Sequence, residues 1–177
     1  MIERPRRHIP EEHPIRELFR VLTERGMEQM HLRDLETIQY IANLLTEFVP
    51  IENLHGVWQA SGQPLHYLPE MLQQAGEPIP VERRREYYRH VGDVALFNLG
   101  LFPESLTYGR RTVSLSFYAE RGRYFYGAVA RLDASQTTRV FRTLSEHFQE
   151  CVGGLNWVKR YISDPFYQYA FRQFHVT

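Results

Sequence analysis

Apolar residues recur at spacings of three and four over much of this chain. The clearest example spans residues 35–49, where the apolar positions share one helix face: Leu35, Ile38, Ile41, Ala42, Leu45, Phe48 and Val49. This spacing predicts an amphipathic helix. Similar stripes predict helices that begin at Pro14, at Pro64 and after a capping Ser135. Because each stripe needs a partner, the sequence predicts an all-α, single-domain bundle of about seven helices.

Residues 81–99 predict the central helix of that bundle. The first half is charged, whereas the second half is apolar nearly all round. A helix that is apolar on every face is buried among other helices. Gly100 and Pro103 are expected to end it.

Residues 112–132 fit two structures. Val113, Leu115, Phe117 and Ala119 alternate as in a strand, and residues 120–123 could form the turn of a β-hairpin. A helical stripe also fits, and it crosses that turn without a slip: Leu115, Ala119, Gly122, Tyr126 and Val129. We therefore favour a helix, with the hairpin as the alternative.

The remaining boundaries follow from glycines, prolines and composition. Residues 1–12 predict a flexible arm, and residues 13–177 a single domain. Gly26 is expected to stop the first helix, and a short helix is expected over residues 64–75. The pair at 153–154 is expected to kink or split a long helix, and a final helix is expected over residues 166–174.

The charge pattern leaves two interpretations. The net charge is zero, from 21 basic and 21 acidic side chains, which disfavours general nucleic-acid binding. Residues 1–80 nevertheless carry seven arginines and twelve acids, and residues 81–177 carry fourteen basic and nine acidic side chains. Either the two halves attract each other within the fold, or they form a self-complementary surface for assembly.

Arginine and tyrosine cluster in the positive half, at Arg83–Arg85, Arg110, Arg111, Arg121, Arg123, Tyr87, Tyr88, Tyr108 and Tyr124. Such a mixture can hold single-stranded nucleic acid by charge and stacking. The same residue types are enriched in the hot spots of protein interfaces.

Cys151 is the single cysteine, so no disulfide can form within the chain. Its place on an apolar stripe predicts a buried, inert thiol. The most apolar run, residues 94–102, is about half the length of a membrane span. We expect a cytoplasmic protein with no membrane association.

Glu86, His90 and Asp93 are the leading candidate site. They lie at i, i+4 and i+7, so they share one face of the predicted central helix. One interpretation is a pocket that presents two carboxylates and an imidazole to a metal or a substrate. The other is a structural role, in which a buried Asp93 takes an arginine partner, because Asp is seldom buried unpaired.

A second acidic and histidine cluster and an aromatic segment are further candidates. Glu146, His147 and Glu150 fit the exposed edge of a helix better than a metal site, and the sequence identifies no cofactor. The last segment carries aromatic residues on more than one helix face: Phe166, Tyr167, Tyr169, Phe171 and Phe174. They are candidates for an interface, with packing inside the chain as the alternative.

The sequence shows no catalytic signature, and it favours a non-enzymatic role. We expect a binding or regulatory module that acts through protein contacts, with a second copy of itself or with another protein. The first alternative is a small-ligand binder or metal-dependent enzyme with its pocket at Glu86, His90 and Asp93. The second is nucleic-acid association through the arginine and tyrosine surface.

Overall fold

The structure is a computed structural model that describes residues 8–48, 57–58, 64–65, 79–106, 114–132 and 138–162. The α-helices in these ranges are α1 (Pro14–Gln29), α2 (Leu35–Phe48), α3 (Val81–Leu101), α4 (Leu115–Leu132), α5 (Thr138–Glu146) and α6 (Phe148–Ile162). A 3-10 helix covers Pro103–Leu106. Strands β1 (Val57–Trp58) and β2 (Pro64–Leu65) form an antiparallel pair with Val57 opposite Leu65.

These helices form an all-α bundle, which confirms the predicted fold class. The described ranges hold six α-helices, against the seven or so that we predicted. Helix α3 is central, since it packs against both α4 and α6. Helix α1 packs against α2 and α6, and α5 packs against α4 and α2.

The burial of α3 confirms its predicted central position. Every residue from 90 to 97 is buried, as are residues 99–101. The helix begins at Val81 as expected and ends two residues later than predicted, at Leu101. Because the buried run covers all faces of the helix, its polar side chains must find partners inside the protein.

Residues 115–132 form helix α4, so the favoured helix is confirmed and the hairpin alternative is wrong. The inward face holds most of the predicted stripe, including Ala119, Gly122, Tyr126 and Val129. Leu115, at the first turn, is 40% exposed and does not belong to that buried face. A periodicity of 3.6 residues fits all but one position of the stripe, which explains why the alternating pattern did not produce a strand.

Glycine was a poor guide to helix ends in this chain. Helix α1 continues past Gly26 to Gln29, and α6 runs unbroken through Gly153 and Gly154. The helical segment is instead interrupted at His147, between α5 and α6. At Gly26 and Gly154 the absence of a side chain permits α1 and α6 to cross closely. The packing of these two helices stabilises the helical conformation of both glycines.

Three predicted segments fall wholly or partly outside the described residues. The predicted helix at 64–75 is wrong at its start, because Pro64 and Leu65 pair as a strand, and residues 66–75 lie outside. The Ser135 cap and the aromatic segment at 166–174 also lie outside. Of the predicted arm, residues 8–12 are described, and the carbonyl oxygen of Ile9 accepts a 2.6 Å hydrogen bond from the Arg16 guanidinium.

An ion pair between described residues joins the two oppositely charged halves of the chain. The guanidinium of Arg139 in α5 lies 3.1 Å from the carboxylate of Asp34, which also caps α2 by accepting from the Thr37 backbone N–H. This contact supports the interpretation that the halves attract each other within the fold. Among the described helices, none is both long enough and apolar enough to cross a membrane.

Candidate functional site

Asp93 joins three helices through its carboxylate. Its Oδ1 atom accepts a 2.6 Å hydrogen bond from the Tyr40 hydroxyl of α2 and a 2.8 Å hydrogen bond from the Tyr126 hydroxyl of α4. Asp93 itself lies on α3 and is 2% exposed. Hydrogen bonds to a charged acceptor are stronger than neutral ones, so this arrangement ties α2 and α4 to the central helix. We refer to Asp93, Tyr40 and Tyr126 as the Asp93 anchor.

The residue before Asp93 makes the anchor possible. A Cβ atom added to Gly92 would lie 2.8 Å from the Tyr126 ring, well inside van der Waals contact. Glycine therefore lets the ring approach α3 closely, and its hydroxyl reaches the carboxylate of Asp93. The sequence signal was an acidic residue, Asp93, inside an apolar helix. The two tyrosines were missed because they lie 53 and 33 residues away along the chain.

The surroundings of the anchor keep both tyrosine hydroxyls protonated. Burial, and then the nearby charge of Asp93, raise the pKa of Tyr126 well above its ordinary value. The same two causes raise the pKa of Tyr40. Both phenols therefore stay protonated near neutral pH, and each keeps a proton to donate to the carboxylate.

Arg89 supplies the positive charge beside the anchor. Burial is the largest single influence on its guanidinium and lowers the pKa, but the nearby acidic groups together outweigh burial and raise it, with Asp93 contributing most among them. The same guanidinium forms an ion pair with Glu86 on the outer side of α3. Arg89 lies one helical turn from Asp93 and interacts with it through charge.

The structure separates the three residues of the predicted site. Glu86 lies at the surface, with its side chain 55% exposed and paired with Arg89. His90 is 2% exposed, like Asp93, and its ring lies edge-on to Phe48 with the ring centroids 6.0 Å apart. Two surface depressions formed by described residues are lined by other side chains. The geometry therefore favours the structural interpretation of Asp93.

The second predicted cluster lies at the surface. His147 is in the turn between α5 and α6, and its Nδ1 atom is 3.3 Å from the Glu150 carboxylate. Both side chains are close to half exposed, as expected for a helix edge. Within the part of the chain that the structure describes, no group of three His, Cys, Asp or Glu side chains is placed to hold a metal ion.

Cys151 is completely buried, which confirms the predicted location of the thiol. Burial, and then the nearby charge of Glu150, raise its pKa from 9.0 to about 12. The nucleophilic form of cysteine is the thiolate, so the folded protein holds this group in its unreactive form.

We expect iodoacetamide to alkylate native Cys151 at least about 100-fold more slowly than it alkylates the urea-unfolded chain at the same pH. Mass spectrometry of timed samples would measure both rates. Since the folded-state pKa lies above the unfolded value, the thiol adds stability that is complete below about pH 9 and is lost as the pH rises toward about 12. Rapid labelling of the native protein would show that Cys151 is accessible.

A shallow groove of about 290 Å³ lies on the exposed face of α4, away from the buried Tyr126 of the Asp93 anchor. It is lined by Glu120, Arg123, Tyr124, Gly127 and Arg131 of α4, and by Ser145 of α5. The Ser145 hydroxyl donates a 2.8 Å hydrogen bond to the carbonyl oxygen of Arg123, which fastens α5 to α4 at the base of the groove. We call this surface the α4–α5 groove.

The predicted arginine and tyrosine surface is only partly exposed. Tyr87 is buried, and the guanidinium of Arg85 lies over the Phe141 ring, 5.6 Å from its centroid. Tyr124 is 55% exposed and borders the α4–α5 groove. Residues 108, 110 and 111 lie outside the described ranges, as do the interface candidates Phe166, Tyr167, Tyr169, Phe171 and Phe174.

Comparison of the chain with protein-family models, with curated proteins and with solved structures found no match.

Proposed function

We propose that this protein is a binding module that acts through protein contacts on the α4–α5 groove. The observation that carries the proposal is Tyr124, a large aromatic side chain that is 55% exposed at the edge of the groove. Tyr124 has arginines nearby on the same helix, at Arg123 and Arg131. Tyrosine and arginine are both enriched among the residues that contribute most of the binding energy in protein interfaces.

The closed Asp93 anchor supports a role without catalysis. A catalytic carboxylate must touch its substrate, whereas Asp93 is 2% exposed and already accepts two hydrogen bonds on one oxygen. A ligand pocket at Glu86, His90 and Asp93 would need α2 and α4 to separate. The small-ligand and enzymatic alternatives therefore receive less support from the geometry.

Nucleic-acid binding also receives less support than protein binding. Of the tyrosines near the arginines, Tyr87 is in the core and Tyr88 packs its ring against Phe125. Stacking of successive bases needs several exposed rings along one groove. We also propose a cytoplasmic location, because a chain with a single cysteine has no internal disulfide of the kind common in secreted proteins.

Site-specific photo-cross-linking tests the proposed function. A benzophenone side chain in place of Tyr124, in cells that express the full chain, is expected to form a covalent adduct with a protein. The matched control carries the same group at Gln39, an exposed position on α2. Mass spectrometry would identify the adducts. Cross-linking at position 124 that does not exceed the Gln39 control would contradict a protein-binding role for this groove.

A further inference from the structure

One end of the α4–α5 groove is basic. Helix α5 follows α4 after a short connection and runs back along it, which brings Ser145 beside both Arg123 and Gly127. Arg131 follows Gly127 by about one turn of α4, and Arg142 precedes Ser145 by about one turn of α5. Both arginines are exposed, and both therefore lie at the end of the groove that is nearest the connection.

The charges of these two arginines are available to a ligand. Within the described part of the chain, neither Arg131 nor Arg142 forms an ion pair, although Glu146 lies about one turn after Arg142 on α5. The guanidinium group of arginine cannot be deprotonated in proteins. This end of the groove therefore presents two positive charges to the solvent.

The other charged side chains that line the groove do not cancel this pair. Arg123 donates a 3.4 Å hydrogen bond to the carbonyl oxygen of Ser145, and its charge also acts on the Glu150 carboxylate, so it is already engaged within the chain. Glu120 lies eleven residues before Arg131, which is roughly 16 Å along α4. Because salt screens exposed charges over about 8 Å at physiological ionic strength, Glu120 has little effect at the basic end.

We infer that the α4–α5 groove binds an acidic segment of a partner protein, with carboxylates at Arg131 and Arg142 and an apolar side chain against Tyr124. The inference rests on the proposed function and names the chemistry of the partner. Complementary charges across an interface speed the encounter and select the partner. Arginine suits this role because its planar guanidinium donates two parallel hydrogen bonds to one carboxylate.

Tyr124 supplies the apolar contact. Its ring is held edge-on to Phe125, with the centroids 5.2 Å apart, and Phe125 in turn contacts the ring of Tyr88. A side chain supported in this way loses little freedom on binding. The helix rise places Tyr124 roughly 10 Å from Arg131, a distance that about three residues of an extended chain span. An acidic run that begins three residues from an apolar side chain therefore fits both contacts.

The phosphates of nucleic acid are also anionic, but the groove suits a peptide better. Among the described residues that line the groove, Tyr124 is the single aromatic side chain. A single strand of nucleic acid is held by several rings on which successive bases stack. An acidic peptide needs one apolar contact beside the two arginines.

Fluorescence anisotropy with a defined peptide tests the inference on the full chain. The probe is a fluorescein-labelled peptide with one tryptophan three residues before a run of four glutamates. The comparison peptide carries glutamines in place of the glutamates. We expect the glutamate peptide to bind saturably and to bind more weakly at high salt. The glutamine peptide should bind at least about tenfold more weakly.

Variants of the chain locate the binding site. Arg131→Glu and Arg142→Glu should each weaken binding at least about fivefold, because each converts an attraction into a repulsion. Tyr124→Ala should weaken it by about fivefold. Arg25→Glu is the matched control, since it makes the same change of net charge at an exposed position of α1, which packs against α2 and α6. It should leave the affinity within about twofold of the wild type, and urea unfolding checks that all four variants fold.

The outcomes separate this inference from the proposed function. A glutamate peptide that does not bind saturably overturns the inference, as do equal losses from Arg131→Glu and Arg25→Glu, which would indicate general charge attraction. An oligothymidylate of matched charge that binds more tightly than the peptide also overturns it and assigns the groove to nucleic acid. If position 124 still cross-links to a protein after the peptide fails to bind, the protein-binding role stands and only the acidic character of the partner is wrong.

Discussion

Replacement of Asp93 by alanine is expected to lower the free energy of unfolding by about 3–5 kcal/mol. The change removes the acceptor of two hydrogen bonds and leaves the Tyr126 hydroxyl buried without it. It also removes the negative charge beside the largely buried Arg89 guanidinium. A buried polar group that loses its partner costs about 1–3 kcal/mol, and a charge costs more. Urea unfolding followed by circular dichroism would measure the loss.

A second substitution shows whether the loss arises from the anchor. In the Asp93→Ala background, Tyr126→Phe should recover part of the lost stability, because it removes the orphaned hydroxyl. In the wild type, the same change should destabilise, because it removes a hydrogen bond to a carboxylate. Effects that simply add would show that Asp93 and Tyr126 are not coupled. If Asp93→Ala keeps the wild-type midpoint and loses a bound molecule in native mass spectrometry, Asp93 belongs to a ligand site instead.

Gly26→Ala is expected to lower the free energy of unfolding by about 2 kcal/mol, although alanine is the better helix former. A Cβ atom at this position would lie 2.5 Å from the backbone carbonyl oxygen of Gly154 in α6 and 3.1 Å from Val158. No side-chain rotation relieves a contact with backbone, so α1 and α6 must move apart. That separation opens the core around Met27, which is completely buried.

Gly153→Ala is the matched control on the facing helix. A Cβ atom there meets the Met30 sulfur at 2.6 Å, which is the far end of a flexible and partly exposed side chain. Because Met30 can turn away, helix propensity should dominate, and the variant should lie within about 1 kcal/mol of the wild type. Thermal unfolding of both variants would compare them. Equal losses at the two positions would mean that the crossing of α1 and α6 is looser than the structure indicates.

The sequence predicted the features that depend on local pattern. Helix α2 follows from a stripe that repeats at three and four, and the burial of α3 follows from apolar residues on all its faces. Helix α4 was chosen correctly over a hairpin because its stripe continued through the supposed turn. Cys151 was placed in the core for the same reason. In each case, neighbouring residues along one helix carry all the information.

The candidate site was only partly predictable. Asp93 drew attention as an acid in an apolar helix, and such a residue must find partners wherever they are in the chain. The face shared with Glu86 and His90 suggested a joint site, yet Glu86 lies at the surface, paired with Arg89, and His90 packs beside Phe48. Helical spacing places side chains on one face, but it does not say how deep each turn of the helix lies.

Local sequence pattern determined the secondary structure and the burial of the helices, whereas tertiary contacts determined the partners of individual side chains. The sequence by itself determined the helical class, the central helix and the need for a polar partner at Asp93. Only the tertiary structure decided that Tyr40 and Tyr126 meet this carboxylate, and that Gly154 continues a helix instead of breaking it. The physical reason is that a glycine favours a break by at most about 1 kcal/mol, whereas close packing of α1 on α6 outweighs that preference. Such packing depends on residues that are more than 100 positions apart, as Gly26 and Gly154 are.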